Sequence, residues 1–273
     1  MFELIAVATA LIGSLAVGSW DLKTSNVPGK IVFPMLAAGV LLHAAESLLS
    51  GSYAPIVLCL EVGVAYSLFS IMMYYLGAWG DGDSALFAAV GFLVPAAPSF
   101  AAATVFPFAL TYFMNVFIIG AAYSIAYSAA LVLKSRKLRA GVAKAIRADA
   151  RFYPILLVPA IAACFFLPLP AVFLLAALIV ALPPLYRISC AVEKGLQRRI
   201  STRELRADDI VGQDIPFLGI KKRFIRGLTK KEVAIIRRRM KYVLVRDGIR
   251  YTMVFFIALA FTLVVGDFLS FLF

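Results

Sequence analysis

Three aspartates lie beside apolar stretches of the chain, where an ionisable side chain is costly unless it has a chemical role. Asp21 follows the first apolar stretch, and Asp81 and Asp83 come just before the fourth. Two carboxylates held together in a partly desolvated site do not both ionise easily, so one stays protonated while the other acts as a general base on water. Such a pair can hydrolyse a peptide bond. The structural alternative for Asp83 is that it only caps the helix that follows it.

Hydrolysis by two carboxylates needs neither a metal nor a thiol. The chain has one histidine, and its three cysteines, Cys59, Cys164 and Cys190, form no C-x-x-C pair. It therefore lacks the ligands of a zinc site and the spacing of a disulfide framework. We predict no metal and no cofactor.

The elements that carry the aspartates are predicted to be membrane helices. The chain is 63% hydrophobic, with a mean hydropathy of +0.94, whereas soluble domains contain about 45–50% apolar residues. A helix needs roughly 20 apolar residues to cross a bilayer. Candidate spans lie at 2–20, 31–49, 55–76, 84–98, 103–133 and 251–272. Residues 153–186 are also apolar, but Pro168 and Pro170 divide them into two short limbs, which predicts a helical hairpin.

The basic residues indicate which side of the membrane each loop occupies. Of the 27 Lys and Arg residues, two follow the first span, seven lie in 134–151 and eighteen lie in 187–250. Because cytoplasmic loops are enriched in Lys and Arg, we place these segments in the cytoplasm and the N-terminus outside. All three aspartates then lie at the cytoplasmic boundary. Topology and contact with membrane lipid account for the formal charge of +12, and we predict no nucleic acid partner.

This map predicts an all-α polytopic membrane protein with about six full transmembrane helices, a short apolar hairpin and a small α+β cytoplasmic domain. The predicted divisions are a membrane catalytic core of about five helices at 1–133, a basic cytoplasmic loop at 134–152, the hairpin at 153–186, a basic cytoplasmic domain at 187–250 and a C-terminal transmembrane helix at 251–273.

Two local patterns predict the secondary structure of the cytoplasmic domain. Thr229 and Glu232 have capping-box spacing ahead of an apolar run, which predicts a helix of about fifteen residues. Upstream, Gly212, Pro216 and Gly219 interrupt the chain and favour short strands and turns.

The residues around the aspartates carry a family resemblance. A G-x-G-D motif at Gly80–Asp83, together with Asp21 followed by Lys23 and then Val27-Pro28, resembles the type IV prepilin peptidase family, and the archaeal preflagellin and prepilin peptidases are most similar. The resemblance implies a polytopic aspartyl protease with Asp21 and Asp83 as catalytic residues. The partners it implies are precursors with a short basic leader, removed at the cytoplasmic face, ahead of a hydrophobic helix.

The motif has two features that bear on these assignments. Gly80 and Gly82 permit unusual backbone conformations and close approach of a substrate chain. The variable position of the motif is Asp81, a second candidate for the role of Asp83, and Ser84-Ala85 follows where many relatives have a lysine nearby. Asp81 either raises the proton affinity of Asp83 through like-charge repulsion or faces solvent.

Two other functions are also consistent with the sequence. A presenilin-type intramembrane protease also uses a G-x-G-D aspartate, but its P-A-L tripeptide is absent. A non-enzymatic transporter or membrane scaffold would use His43 and Glu61, which lie in the second and third spans and are predicted to face one another. We interpret these two residues as a structural pair, with a proton pathway as the alternative.

Overall fold

The computed structural model describes residues 1–149, 185, 188–222, 225–246 and 250–268. The predicted hairpin at 153–186 lies outside these residues, apart from position 185. The chain divides into two compact units, one formed by Met1–Ser124 with Arg199–Phe273 and the other by Ile125–Arg198.

The described residues are mainly helical. The helices are α1 (Phe2–Thr24), α2 (Gly29–Ser50), α3 (Ala54–Tyr75), α4 (Asp81–Leu93), α5 (Phe108–Lys134), α6 (Arg136–Asp149), α7 (Lys230–Arg239) and α8 (Met253–Val264), and the strands are β1 (Gln197–Ser201) and β2 (Tyr242–Arg246). Within the described ranges, α1, α2, α3 and α5 are long and apolar enough to cross a membrane. The prediction of a helical, multi-pass membrane protein is confirmed.

Helix α4 has 13 residues, fewer than α1, α2, α3 and α5, and it is the most enclosed helix of the first unit. Nine of its thirteen residues are buried, and it packs on α1, α2 and α3. Glycines allow this contact: a Cβ on Gly39 would lie 2.7 Å from the Phe92 backbone, and one on Gly63 would lie 2.3 Å from the Phe92 ring. The helix ends at Leu93 because Val94 precedes Pro95, which disfavours the helical conformation.

The last carbonyls of α4 accept hydrogen bonds from side chains of α2 and α3. His43 Nε2 lies 3.2 Å from the Leu93 carbonyl, and Cys59 Sγ donates to the Phe92 carbonyl at 3.2 Å. The other ring nitrogen of His43, Nδ1, lies 3.2 Å from Glu46 Oε2, whereas Glu61 is exposed. The predicted pairing of His43 with Glu61 is therefore wrong. Glu46 is one turn along the same helix, which makes it the nearer partner.

Helices α5 and α8 are joined by buried polar contacts. Asn115 Nδ2 donates to Thr262 Oγ1 and to the Gly266 carbonyl, each at 2.9 Å. Asp267 accepts from Thr111 Oγ1 at 2.6 Å. Helix α8 is shorter than the predicted span at 251–272, because the chain leaves the helix after Val264 and Gly266 adopts a φ of 87°.

Residues 199–246 form the part of the first unit with strands. Strands β1 and β2 pair as a two-stranded sheet, and α7 packs on them through a small core that includes Leu205, Ile215 and Ile236. Thr229 caps α7 as predicted, and its hydroxyl accepts from the Glu232 backbone N–H at 3.3 Å. The helix has 10 residues rather than about fifteen because β2 begins soon after it.

In the second unit, α6 follows α5 directly. Its buried residues Leu138 and Val142 lie one turn apart, and its exposed side carries basic residues. Leu138 packs closely on Gly195, where a Cβ would lie 1.8 Å from the leucine side chain.

Candidate active site

Asp21 lies in the last turn of α1, because this helix continues to Thr24 rather than ending at residue 20. The helix is closed by Ser25, which has a left-handed φ of 55° and donates its N–H to the Asp21 carbonyl at 2.8 Å. Asp21 is only 7% exposed. The end of α1 therefore holds a carboxylate in a buried position at the boundary of the predicted span.

Asp83 lies in the first turn of α4, which begins at Asp81 rather than at residue 84. Both oxygens of its carboxyl group have partners. Oδ2 accepts from the Gly80 backbone N–H at 3.4 Å, and Oδ1 accepts from Thr252 Oγ1 at 2.8 Å. The N-cap of α4 is therefore Gly80 rather than Asp83, whose carboxylate accepts from the backbone N–H of that N-cap residue through a long hydrogen bond. The shorter hydrogen bond comes from a residue 169 positions away.

The side chains of Asp21 and Asp83 line one cavity. Its other walls come from the α1–α2 connection, the turn before α4, the 208–227 region and the segment that enters α8. The lining residues are Asp21, Ser25, Asn26, Val27, Gly80, Asp81, Gly82, Asp83, Asp208, Ile210, Ile225, Arg226, Gly227, Arg250 and Thr252. The fold brings together carboxylates that are 62 positions apart in the sequence, which is the first requirement for a catalytic pair.

The electrostatic environment makes the two carboxylates unequal. Burial, followed by the negative charge of Asp21, raises the pKa of Asp83 to about 7, against the opposing effect of the Thr252 hydrogen bond. An aspartic acid with this pKa retains its proton at neutral pH in a large fraction of molecules. The cavity therefore holds the combination that acid–base hydrolysis requires, which is one protonated carboxyl group beside another carboxylate.

Asp81 differs from Asp83 in its surroundings. Its side chain is exposed, and its Oδ1 accepts from the Gly82 N–H at 2.9 Å. Its negative charge makes the smallest of the contributions that raise the pKa of Asp83. Both interpretations of Asp81 therefore hold in part, because it faces solvent and also acts weakly on its neighbour.

The two motif glycines have ordinary backbone conformations. Gly80 has a φ of −72°, and Gly82 is not among the glycines with positive φ. The conformational freedom that glycine permits is therefore not used at these positions. Gly82 is instead needed for packing, because a Cβ there would lie 2.2 Å from Val27 Cβ. At Gly80 a Cβ would make ordinary contacts, 3.4 Å from Asp83 Oδ2.

Lys23, a predicted supporting residue, is exposed and is not among the residues that line the cavity. The basic residues in the cavity wall are Arg226 and Arg250. Arg226 forms a bidentate ion pair with Glu232, with nitrogen–oxygen distances of 2.6 and 3.0 Å. Arg250 donates to the Leu22 carbonyl and, at 3.1 Å, to Ser25 Oγ.

Arg250 and Thr252 are site residues that were not predicted from the sequence. The sequence feature that could have indicated them is their position just before the apolar run of α8. Thr252 is 1% exposed, donates to Asp83 and lines the same cavity as Asp21. A residue that follows the predicted cytoplasmic domain thus belongs to the site of both aspartates.

Comparison with known proteins connects this site to a family. Residues 8–125, which include all three aspartates, match the model of the type IV leader peptidase family. The chain is also 26% identical over 149 residues to the prepilin peptidase EppA of Methanothermobacter thermautotrophicus. That alignment covers 50% of this chain and 38% of the relative, so the chain spans about two fifths of that protein's length. No solved structure matches the chain.

Proposed function

Because residues 8–125 match the model of the type IV leader peptidase family, we propose that this chain is a membrane aspartyl endopeptidase that removes the short basic leader of preflagellin-like or prepilin-like precursors. The observation that carries the proposal is the cavity shared by Asp21 and Asp83, which come from two different helices. The relative EppA, a prepilin peptidase by name, supports the substrate class.

The unequal carboxyl groups give each aspartate a role. With Asp83 protonated, Asp21 carries the negative charge of the pair and removes a proton from water as the oxygen of that water attacks the scissile carbonyl carbon. Asp83 donates its proton to the carbonyl oxygen, which gives a neutral tetrahedral diol. When the diol collapses, the carbon–nitrogen bond breaks and the leaving amine takes up the proton from Asp21. Asp83 regains its proton from the diol hydroxyl, so both carboxyl groups return to their starting states.

The proposed site lies at the cytoplasmic face of the membrane. The basic residues outside 31–133 and the positive-inside tendency support a cytoplasmic boundary for Asp21 and Asp83 and an N-terminus outside. We retain six spans, an apolar hairpin at 153–186 and a small α+β cytoplasmic domain as the proposed topology. In this arrangement, the basic leader of a precursor meets the site while its hydrophobic helix stays in the bilayer.

The test is precursor processing in membranes that contain the full chain. The substrate is a tagged precursor with a basic leader followed by a hydrophobic segment, and the variants are Asp21→Asn and Asp83→Asn. Each variant is expected to lose activity by about 10²- to 10⁴-fold, because each removes one partner of the acid–base pair. Asp81→Asn is the matched control, since it makes the same chemical change two residues from Asp83, and it should retain most of the activity.

Two results would contradict the proposal. If membranes with Asp21→Asn and Asp83→Asn both process the precursor at the wild-type rate, the pair does not carry the reaction. If Asp81→Asn alone abolishes processing, the motif aspartate has been assigned to the wrong residue. Cleavage mapped within the hydrophobic helix, rather than ahead of it, would instead favour a presenilin-type protease.

A further inference from the structure

Residues 250–252, which lead into α8, contact three other helices around the site. Arg250 contacts the end of α1 through the Leu22 carbonyl and Ser25 Oγ. Tyr251 donates its hydroxyl to the Val116 carbonyl of α5 at 3.3 Å. Thr252 donates to Asp83 in α4. Three consecutive residues therefore connect the two helices that carry the aspartates with a third helix of the membrane region.

The hydroxyl of Thr252 is directed to the site rather than to its own helix. Thr252 occupies the N-cap of α8, where a threonine hydroxyl usually accepts from a backbone N–H of the first turn. No such side-chain bond is made. The hydroxyl instead donates to Asp83 Oδ1 at 2.8 Å, from a position that is 1% exposed. With a helical φ of −56° and ψ of −30°, Thr252 uses its hydroxyl for the proposed general acid and not for its own helix.

Close packing brings the same residue to Asp21. A Cβ on Gly18, one turn before Asp21, would lie 3.0 Å from the Met253 Cα, so the backbone at the start of α8 lies directly on α1. At this point Thr252 lines the same cavity as Asp21. Thr252 thus donates to one carboxyl group of the pair and lines the cavity beside the other.

We propose that Thr252 is a positioning residue that fixes the orientation of the Asp83 carboxyl group relative to Asp21. The proposal rests on the proposed function. The strong bond to Oδ1 and the long bond from Gly80 to Oδ2 define the plane of the carboxyl group. They also place the acidic proton on Oδ2, the oxygen with the weaker acceptor contact, which leaves that proton available for transfer to a substrate carbonyl.

The decisive comparison is between Thr252→Val, which keeps the shape and removes the hydroxyl, and Thr252→Ser, which keeps the hydroxyl. In the precursor-processing assay, Thr252→Val should lower kcat by about 10- to 100-fold with little change in KM, because a hydrogen bond to an ionisable partner is lost. Thr252→Ser should stay close to the wild-type kcat. A loss caused only by altered packing would not be restored by serine, which lacks the methyl group.

The pH profile provides a second measurement. The Thr252 hydroxyl lowers the proton affinity of Asp83. Removal of this hydroxyl should therefore shift the alkaline limb of the pH–activity profile to higher pH. Thr262→Val is the matched control, since Thr262 is also a buried threonine of α8 and its hydroxyl bonds the Ala258 carbonyl and Asn115. This control should leave both kcat and the alkaline limb unchanged. Should Thr252→Val not accumulate in membranes, Thr252→Ala takes its place in the same comparison.

The outcomes separate this proposal from the proposed function. If Asp21→Asn and Asp83→Asn are inactive while Thr252→Val keeps the wild-type kcat and pH profile, the role of Thr252 is overturned and the peptidase assignment stands. Equal losses in the valine and serine variants would also overturn it. If the aspartate variants remain active, the proposed function itself is wrong.

Discussion

Gly82 and Val27 are in such close contact that a single added methyl group cannot fit between them. A Cβ on Gly82 would lie 2.2 Å from Val27 Cβ, well inside any real carbon–carbon contact. Val27 belongs to the short connection between α1 and α2, and Gly82 lies in the first turn of α4 beside Asp83. The contact therefore holds the start of α4 against the chain that follows Asp21.

Gly82→Ala should separate these two segments and impair both folding and activity. We expect a loss of about 1–3 kcal/mol of stability from overpacking, together with reduced precursor processing. Gly212→Ala is the control, because its Cβ would make only ordinary contacts and Gly212 does not line the cavity. The measurements are thermal unfolding in detergent and the processing rate in membranes.

A second substitution tests whether the contact with Val27 causes the losses expected for Gly82→Ala. Val27→Gly removes the Cβ that Gly82→Ala would strike, so the double variant should recover activity relative to Gly82→Ala alone. If Gly82→Ala has wild-type activity and stability, or if the double variant gains nothing, then the Gly82–Val27 contact does not set the position of α4.

The pH dependence of cleavage should follow the ionisation of Asp83. Its pKa is raised to about 7, chiefly by burial and by the charge of Asp21. As a general acid it must be protonated, so kcat/KM should fall as the pH rises through about 7. Asp81→Asn should move this fall in kcat/KM slightly to lower pH, because the charge of Asp81 makes the smallest of the contributions that raise the pKa of Asp83. A limb unchanged by Asp81→Asn, or an activity that increases above pH 7, would contradict this assignment.

The same ionisation should affect folding stability, with a defined sign. The pKa of Asp83 in the folded chain is above its ordinary value of 3.8, so the folded state binds the proton more tightly than the unfolded state does. Its contribution to stability is fully present below about pH 4 and is lost as the pH rises through about 7. The difference in unfolding temperature between wild type and Asp83→Asn should therefore change across this window. Glu204→Gln, at an exposed site, should show no such change.

Much of this arrangement could be predicted from the sequence. The parts that could not be predicted are those that rest on long-range contacts. Apolar length predicts the helices well because a bilayer sets their size. Local spacing predicts the Thr229–Glu232 cap, because both partners lie within one turn. The contact of Thr252 with Asp83 joins residues 169 positions apart, and no periodicity or composition reports it. His43 pairs with Glu46 three positions along the same helix, whereas its predicted pairing with Glu61 depends on a helix–helix register that the sequence does not determine.

The Arg226–Glu232 pair should stabilise the region that forms one wall of the cavity. Two hydrogen bonds from Arg226 and the bonds from Thr229 lower the pKa of Glu232 to about 2. Because this pKa is depressed, the stabilisation is present above about pH 4.5 and is lost as the pH falls through about 2. Glu232→Gln should increase amide hydrogen exchange near 226–233 in the full chain at pH 7. Glu204→Gln serves as the control, and equal exchange in the two variants would show that the pair does not hold this wall.

His43 and Glu61 allow a direct test between structural support and proton transport. His43 bonds the Leu93 carbonyl at the end of α4, whereas Glu61 is exposed on α3. His43→Leu should lower the unfolding temperature, because it leaves a buried carbonyl without its partner, at a cost of about 1–3 kcal/mol. At a temperature where the variant stays folded, it should still process the precursor. Glu61→Gln should change neither stability nor processing. If both variants instead retain full stability but lose function, the two residues act together in a pathway, and the transport alternative would replace the structural interpretation of His43.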